Sequence, residues 1–174
     1  PVHFSTGFPR KGLGVDRLAA ALAVSMLFPG EDCIKFDFGT ALTVDFISGN
    51  GVFQGGNISL GMTSRFKALN TFTKRLPLIE PGSNINDFGR KTAEAMESGV
   101  VLGMIFEVEG YMSKYPSHKV VFTGGDALYF AEDKVTYNIA MGKEGFVNAL
   151  CEKFPDQRNN LITYNWWINR LGYL

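Results

Sequence analysis

The stretch that decides the fold runs Asp37-Phe38-Gly39-Thr40-Ala41-Leu42-Thr43-Val44-Asp45. Apolar and polar residues alternate on both sides of Gly39-Thr40, a period of two that predicts two β-strands joined by a tight turn. A carboxylate lies near each end, and the Gly39 N–H and the Thr40 hydroxyl can face a phosphate. Paired acids around a phosphate suit cation-assisted phosphoryl transfer, whereas a purely structural hairpin, the alternative, has no need of them.

The chain around this hairpin predicts a mixture of helices and strands. The spacing of apolar residues predicts helices over 15–28, 61–73 and 87–114, and a strand over 118–123. Residues 54–58 are rich in glycine and predict a bend. The middle of the longest helix is apolar on every side, which favours burial against a partner subunit as well as the domain itself. Strands mixed with long helices indicate an α/β or α+β layer architecture.

The two ends of the chain carry weaker patterns. Residues 1–13 predict an irregular lead-in with few periodic apolar residues. Past residue 131, we expect helices over 143–154 and 166–171 and a strand over 161–164.

Length and composition limit the classes of function. The 174 residues suffice for one domain with a hydrophobic core, and the 45% apolar content favours a folded protein. The 17 basic and 17 acidic residues balance without clustering, which argues against a nucleic-acid partner. No apolar run approaches the ~20 residues that a membrane span requires, and no leader pattern is present. We therefore expect no membrane partner and a cytoplasmic location.

Cysteines and histidines are few. Cys33 and Cys151 are far apart, and Cys33, beside a predicted strand, is expected to be an inert buried thiol. His3 and His118 lack the spacing of zinc ligands.

The segment Gly14-Val15-Asp16-Arg17 opens the first predicted helix. A carboxylate in the first turn of a helix is stabilised by the helix dipole, so a capping role explains Asp16 alone. Together with Arg17, the same carboxylate fits a site that binds an anionic substrate and accepts a proton from it.

Other candidate positions are ambiguous by themselves. The glycine pairs at 55–56 and 124–125 are typical of tight turns, but they also allow backbone N–H groups to approach a phosphate or a base. Thr92, near the start of the longest helix, fits a local cap or a surface position as well as a ligand contact. A Gly-x-x-x-x-Gly-Lys loop is lacking, which excludes a P-loop kinase.

Taken in order, these motifs resemble type III pantothenate kinase, the first enzyme of coenzyme A synthesis. The segments that carry the resemblance are Gly14-Val15-Asp16-Arg17, Asp37-Phe38-Gly39-Thr40-Ala41, Thr43-Val44-Asp45, Gly55-Gly56-Asn57-Ile58, Leu76-Pro77 and Thr123-Gly124-Gly125-Asp126. The resemblance implies a fold of the ribonuclease-H-like, actin/hexokinase superfamily, with one full half and part of the other. Residues 14–174 would form the C-terminal, substrate-binding and dimerising part of a homodimer.

The resemblance also implies roles for individual residues. Asp16 would be the general base that accepts the proton of the pantothenate primary hydroxyl. Pantothenate would contact Gly14, Val15, Asp16, Arg17 and Thr92. Asp37 would bind a monovalent cation, K⁺ or NH₄⁺. ATP, accompanied by Mg²⁺, would lie against Gly39, Thr40, Gly124 and Gly125.

The sequence also departs from the family. The family opens with a strand carrying an Asp-x-Gly-Asn-Thr phosphate loop, which this sequence lacks, and the first residue is Pro1 rather than Met. We therefore expect a piece of a kinase that has no ATP-dependent activity alone. The alternatives are a regulatory relative of the transcription accessory type that has lost catalysis, and an acetate- or sugar-kinase-like enzyme on the same fold.

Overall fold

The computed structural model describes residues 4–7, 12–82 and 85–127. The helices and the strand predicted after residue 131 lie outside these residues, as does Cys151.

Five strands form one mixed sheet in the order β1-β4-β3-β2-β5. Their bounds are β1 Ser5–Thr6, β2 Cys33–Phe38, β3 Ala41–Ile47, β4 Val52–Leu60 and β5 Lys119–Thr123. Strands β2, β3 and β4 are antiparallel neighbours, whereas β5 runs parallel to β2 and β1 parallel to β4. The predicted hairpin is therefore confirmed, and it forms the centre of the sheet.

Three helices accompany the sheet: α1 Val15–Leu27, α2 Met62–Phe72 and α3 Thr92–Lys114. The first two match their predicted bounds to within one residue. The third begins five residues later than predicted, because the Arg90 N–H donates to the Glu94 carboxylate (3.0 Å) and the chain turns back onto the first helical turn. No helix in the described ranges is long and apolar enough to span a bilayer.

The period of two in the strands separates the two faces of the sheet. One face packs against α2 and α3 through a cluster that includes Ile34, Phe36, Phe38, Leu42, Val44, Phe66, Val101, Met104 and Phe122. The other face packs against α1 through Ala21, Ala23, Val24, Cys33, Ile47, Phe53 and Val121. The sheet thus lies between α1 on one side and the α2–α3 pair on the other, and the predicted α/β layers are confirmed.

The strand order also fits the predicted superfamily. Three antiparallel strands are followed, after two helices, by a strand parallel to the first, as in a ribonuclease-H-like half. The crossover places α2 and α3 on the face opposite α1.

The predicted bend over 54–58 is wrong, because these residues continue β4. Gly55 has a φ of +112°, a value that glycine tolerates and other residues rarely adopt. It lies where the β3–β4 register shifts between Phe46 and Ile47. The glycines here accommodate an irregularity within a strand rather than ending it.

One further expectation changes in the structure. Ser5 and Thr6, inside the predicted irregular lead-in, form β1 because they pair with β4. Within the single chain, Val101 and Met104 in the middle of α3 are fully buried, whereas Phe106 is 63% exposed, on a surface that the expected partner subunit would cover.

Candidate functional site

The predicted phosphate-binding segments meet where the strands end beside Asp37. This line of strand ends is called the Asp37 edge. Asp37 pairs with Thr43 of β3 and with Thr123 of β5, and Ala41 pairs with Leu60 of β4. The carboxyl ends of β2, β4 and β5 and the start of β3 therefore converge there.

Backbone contacts hold the Gly39-Thr40 turn at this edge. The Gly39 N–H donates to the Ala41 carbonyl (3.1 Å), and the Thr40 carbonyl accepts from the Gly61 N–H (3.0 Å) and the Ser64 hydroxyl (2.7 Å). The expectation that the Gly39 N–H faces a phosphate is therefore wrong in this structure, since the turn itself uses that donor. Thr40 is exposed at the edge, as a ligand contact requires.

The loop after β5 packs directly against Asp37. Gly124 has a φ of +100°, and a Cβ on it would lie 2.5 Å from the Phe38 nitrogen and 2.7 Å from Asp37 Oδ1. The Asp126 N–H donates to the Phe38 carbonyl (3.0 Å), and partial burial raises the pKa of the Asp126 carboxyl above its ordinary value. Gly125 is exposed, with open space around it. Of the predicted pair, Gly124 is the one that the backbone requires.

Helix α1 points its first turn toward the same edge. Arg17 contacts Asp45 in the middle of β3, whereas Val24, two turns later, packs in the cluster that holds the far ends of β2 and β3. The helix therefore runs away from the Asp37 edge, and Asp16 in its first turn lies on the side facing that edge.

Asp16 is exposed, and its carboxylate forms no ion pair with any residue that the structure describes. The residue at the helix cap is Gly14, and a Cβ there would collide with Asp16 Oδ1. The missing side chain of Gly14 thus leaves room for the carboxylate. Val15 is also exposed, at 51%. The prediction that Gly14-Val15-Asp16-Arg17 opens the first helix is confirmed.

Between α1 and the sheet lies a row of four charged side chains: Arg17, Asp45, Lys35 and Asp37. Arg17 Nε donates to Asp45 Oδ1 (2.9 Å), and Lys35 Nζ lies 2.8 Å from Asp45 Oδ2 and 3.8 Å from Asp37 Oδ2. The 2.8 Å contact is an ion pair by distance, although its angle is not that of a directional hydrogen bond. The side chains of Lys35 and Asp45 are 1% and 0% exposed.

The row of four charged side chains changes the interpretation of the hairpin that runs from Asp37 to Asp45. Asp45 is buried between two cations, so the prediction that it borders a phosphate together with Asp37 is wrong. Sequence reasoning also gave Lys35 no part in the site. The available signal was a lysine between Ile34 and Phe36 in the central strand, where an unpaired charge is costly.

Arg17, predicted to contact pantothenate, is held by the protein itself. Its guanidinium binds Asp45 and lies 5.7 Å from the centre of the Phe53 ring, and its side chain is 15% exposed. Thr92 is the exposed first residue of α3. Because α1 and α3 lie on opposite faces of the sheet, the fold of a single chain does not bring Thr92 beside Asp16.

The described residues offer few side-chain ligands for the predicted Mg²⁺. They contain no group of three or more His, Cys, Asp and Glu side chains placed to hold one ion. Asp37, the expected ligand of the monovalent cation, already has the Lys35 ammonium 3.8 Å from one oxygen and Gly124 against the other.

Cys33 is fully buried, as predicted. Burial, with a smaller contribution from the neighbouring Glu31 carboxylate, raises the pKa of its thiol to about 11. The thiol stays protonated near neutral pH and takes no part in the site.

Residues 4–114 match the family model of type III pantothenate kinase. The chain belongs to the type III pantothenate kinase family. A type III pantothenate kinase of Phocaeicola vulgatus is 46% identical over 122 residues, which cover 68% of this chain and 50% of that protein. A relative of the same name from Porphyromonas gingivalis is 41% identical over 138 residues, covering 75% and 57%. The chain thus spans about half the length of these kinases.

A solved structure also resembles this family member. The crystal structure of a conserved putative Baf family transcriptional activator from Campylobacter jejuni has a TM-score of 0.57 and 28% sequence identity. The match covers 91% of this chain and 70% of the Campylobacter protein.

Proposed function

We propose that this chain forms part of an enzyme that transfers a phosphoryl group from ATP to the primary hydroxyl of pantothenate. The product is 4′-phosphopantothenate, in the first step of coenzyme A synthesis. One observation carries the proposal: in a member of this family, the first turn of α1 with Asp16 faces the sheet edge that holds Asp37, Thr40 and Gly124.

Asp16 is proposed as the general base. Its exposed carboxylate has no ion-pair partner among the described residues, so it is accessible to a substrate hydroxyl. Asp16 would take the hydroxyl proton while the oxygen attacks the γ-phosphorus of ATP and the bond from that phosphorus to ADP breaks.

The residues proposed to bind pantothenate divide into two groups. Gly14, Val15 and Asp16 present an open surface at the start of α1, and the ion pair with Asp45 holds Arg17 beneath it. Thr92 lies on the other side of the sheet, so we infer that it reaches pantothenate bound by another copy in a homodimer. Phe106, exposed in the apolar middle of α3, supports such a dimer.

ATP is proposed to lie at the edge formed by the turn and by the loop after β5. Thr40 is exposed, so its hydroxyl would be available to a phosphate, and the open space around Gly125 would lie on the adenosine side. Gly39 closes the turn through its N–H, and Gly124 gives the loop after β5 its positive φ. Mg²⁺, when bound with ATP, neutralises phosphate charge, but the described residues supply no evident set of ligands for it.

The chain is proposed to be inactive by itself. It spans about half the length of the kinases that it matches, and phosphoryl transfer depends mostly on groups that position and neutralise the phosphates. A cytoplasmic location stays a prediction.

The test is a coupled kinase assay on two proteins: the 174-residue chain, and a chimera that joins it to the part of the Phocaeicola vulgatus kinase that it does not match. We expect phosphorylation of pantothenate by the chimera and none by the chain alone. In the chimera, Asp16→Asn should lower kcat by roughly 10²–10⁴-fold with little change in KM.

The matched control is Glu80→Gln, an exposed acid in the segment between α2 and α3. It should leave both constants unchanged. Phosphorylation by the chain alone would overturn the proposed incompleteness, and an unchanged kcat for Asp16→Asn would remove Asp16 from the role of base.

A regulatory role is the second candidate, supported by the similarity to the structure named as a putative transcriptional activator. A folded chimera that shows no kinase activity, with the same result for Asp16→Asn, would favour this role.

A further inference from the structure

Lys35 is a buried cation beside the residue expected to bind a metal cation. Its side chain is 1% exposed, on strand β2 between β3 and β5 and on the face that α1 covers. The ammonium lies 2.8 Å from Asp45 Oδ2 and 3.8 Å from Asp37 Oδ2. A lysine this deeply buried is rare unless carboxylates compensate its charge.

Within the row from Arg17 to Asp37, the four formal charges cancel. The row alternates positive and negative groups: Arg17, Asp45, Lys35, Asp37. Two cations and two carboxylates give a formal sum of zero. A metal cation bound to Asp37 would add a charge within a few Å of the ammonium, in a partly buried place where repulsion is weakly screened.

Space around Asp37 restricts a metal ion as well. Gly124 approaches so closely that even a Cβ on it would lie 2.7 Å from Asp37 Oδ1. Lys35 is beside Asp37 Oδ2. Each oxygen therefore already borders a group of the protein.

We propose that the Lys35 ammonium takes the place of the monovalent cation at Asp37. An ammonium on a lysine carries the same charge as K⁺ or NH₄⁺ and is bound covalently to the strand that carries Asp37. It neutralises the carboxylate beside the Gly39-Thr40 turn without an exchangeable ion. The chain consequently has no specific requirement for potassium. The inference rests on the proposed function only in taking this edge as the phosphate side of the site.

The test measures cation binding and uses neither ATP nor pantothenate. Thermal unfolding of the 174-residue chain is compared in potassium chloride and in choline chloride at equal ionic strength, for the wild type and for Lys35→Met. The wild type should unfold at the same temperature in both salts. Lys35→Met, which leaves Asp37 without the ammonium, should gain about 2–4 °C from potassium, and Lys35→Met combined with Asp37→Asn should lose that gain.

Lys67→Met is the matched control, because Lys67 is an exposed lysine on α2. It should show no difference between the salts. A potassium-specific rise in the unfolding temperature of the wild type that Asp37→Asn abolishes would overturn the inference. A folded Lys35→Met whose unfolding temperature is the same in both salts would also overturn it.

If Lys35→Met does not fold, a second measurement tests directly whether the wild-type chain binds a monovalent cation at Asp37. Thallium(I), a probe for potassium sites, is titrated into the wild-type chain and followed by calorimetry. No saturable binding is expected, and saturable binding that Asp37→Asn removes would overturn the inference. A lack of pantothenate phosphorylation in the chimera would instead count against the proposed function and leave these cation measurements unaffected.

Discussion

Asp45 and Gly56 lie directly opposite each other across β3 and β4, and the missing side chain of Gly56 leaves the space in which Arg17 reaches Asp45. A Cβ on Gly56 would lie 2.7 Å from Asp45 Oδ1 and 2.8 Å from Arg17 Nη2, and it would also collide with the Val44 carbonyl. Gly56 thus makes room for the buried charges, and Gly55 accommodates the shift in strand register.

We predict that Gly56→Ala destabilises the fold by about 1–3 kcal/mol, because the new methyl group overlaps the backbone and the Arg17–Asp45 pair. Chemical denaturation measures this change. Gly99→Ala is the matched control: Gly99 is an exposed residue within α3 with open space around it, so alanine there should add about 0.5–1 kcal/mol of stability. Equal effects of the two substitutions would contradict the close approach at Gly56.

Removing the charge of Asp45 should destabilise the fold more than Gly56→Ala does. Asp45→Asn leaves Lys35 and Arg17 without the carboxylate between them, and breaking a buried ion pair on one side costs about 3–5 kcal/mol. The control is Glu31→Gln, which removes an exposed pair with Lys119 and should cost less than about 1 kcal/mol. Denaturant unfolding compares the two, and a loss for Asp45→Asn as small as that of the control would disprove a buried network.

The sequence was sufficient to predict the hairpin but not the charged row. A period of two assigns Lys35 and Asp45 to one face of the sheet, but it does not show what covers that face. The cover is α1, and Arg17 lies 28 residues before Asp45. Burial of these charges depends on that distant pairing, so the local pattern placed Asp45 beside a phosphate instead.

Two further errors have the same origin. The glycines in 54–58 favour a bend by local propensity, yet pairing with β3 keeps them in β4. Ser5 and Thr6 have no periodic pattern, yet they form β1 because they pair with β4. By contrast, α1 and α2 were predictable because each buries one stripe of apolar residues.

The buried thiol of Cys33 makes stability depend on alkaline pH. Burial raises its pKa to about 11 from an ordinary value of 9.0, so the folded state holds the thiol proton more tightly than the unfolded state. The stability present below pH 9 is therefore lost as the pH rises toward 11, by about 2–3 kcal/mol in total. Unfolding free energies of the wild type and Cys33→Ala, measured across this range, should converge or cross. Parallel curves would contradict the shift.

Because α3 exposes a phenylalanine, we predict that the 174-residue chain is a homodimer in solution. Phe106 is 63% exposed beside Met104 and Ile105, which are buried in the core. An exposed aromatic ring in the centre of an interface contributes strongly to binding, so Phe106→Glu should shift the chain to a monomer in sedimentation equilibrium. Phe72→Glu, at the end of α2 and 86% exposed, is the matched control and should leave the dimer intact. A monomeric wild type would contradict the prediction, and it would also remove the route by which Thr92 of the partner subunit reaches pantothenate.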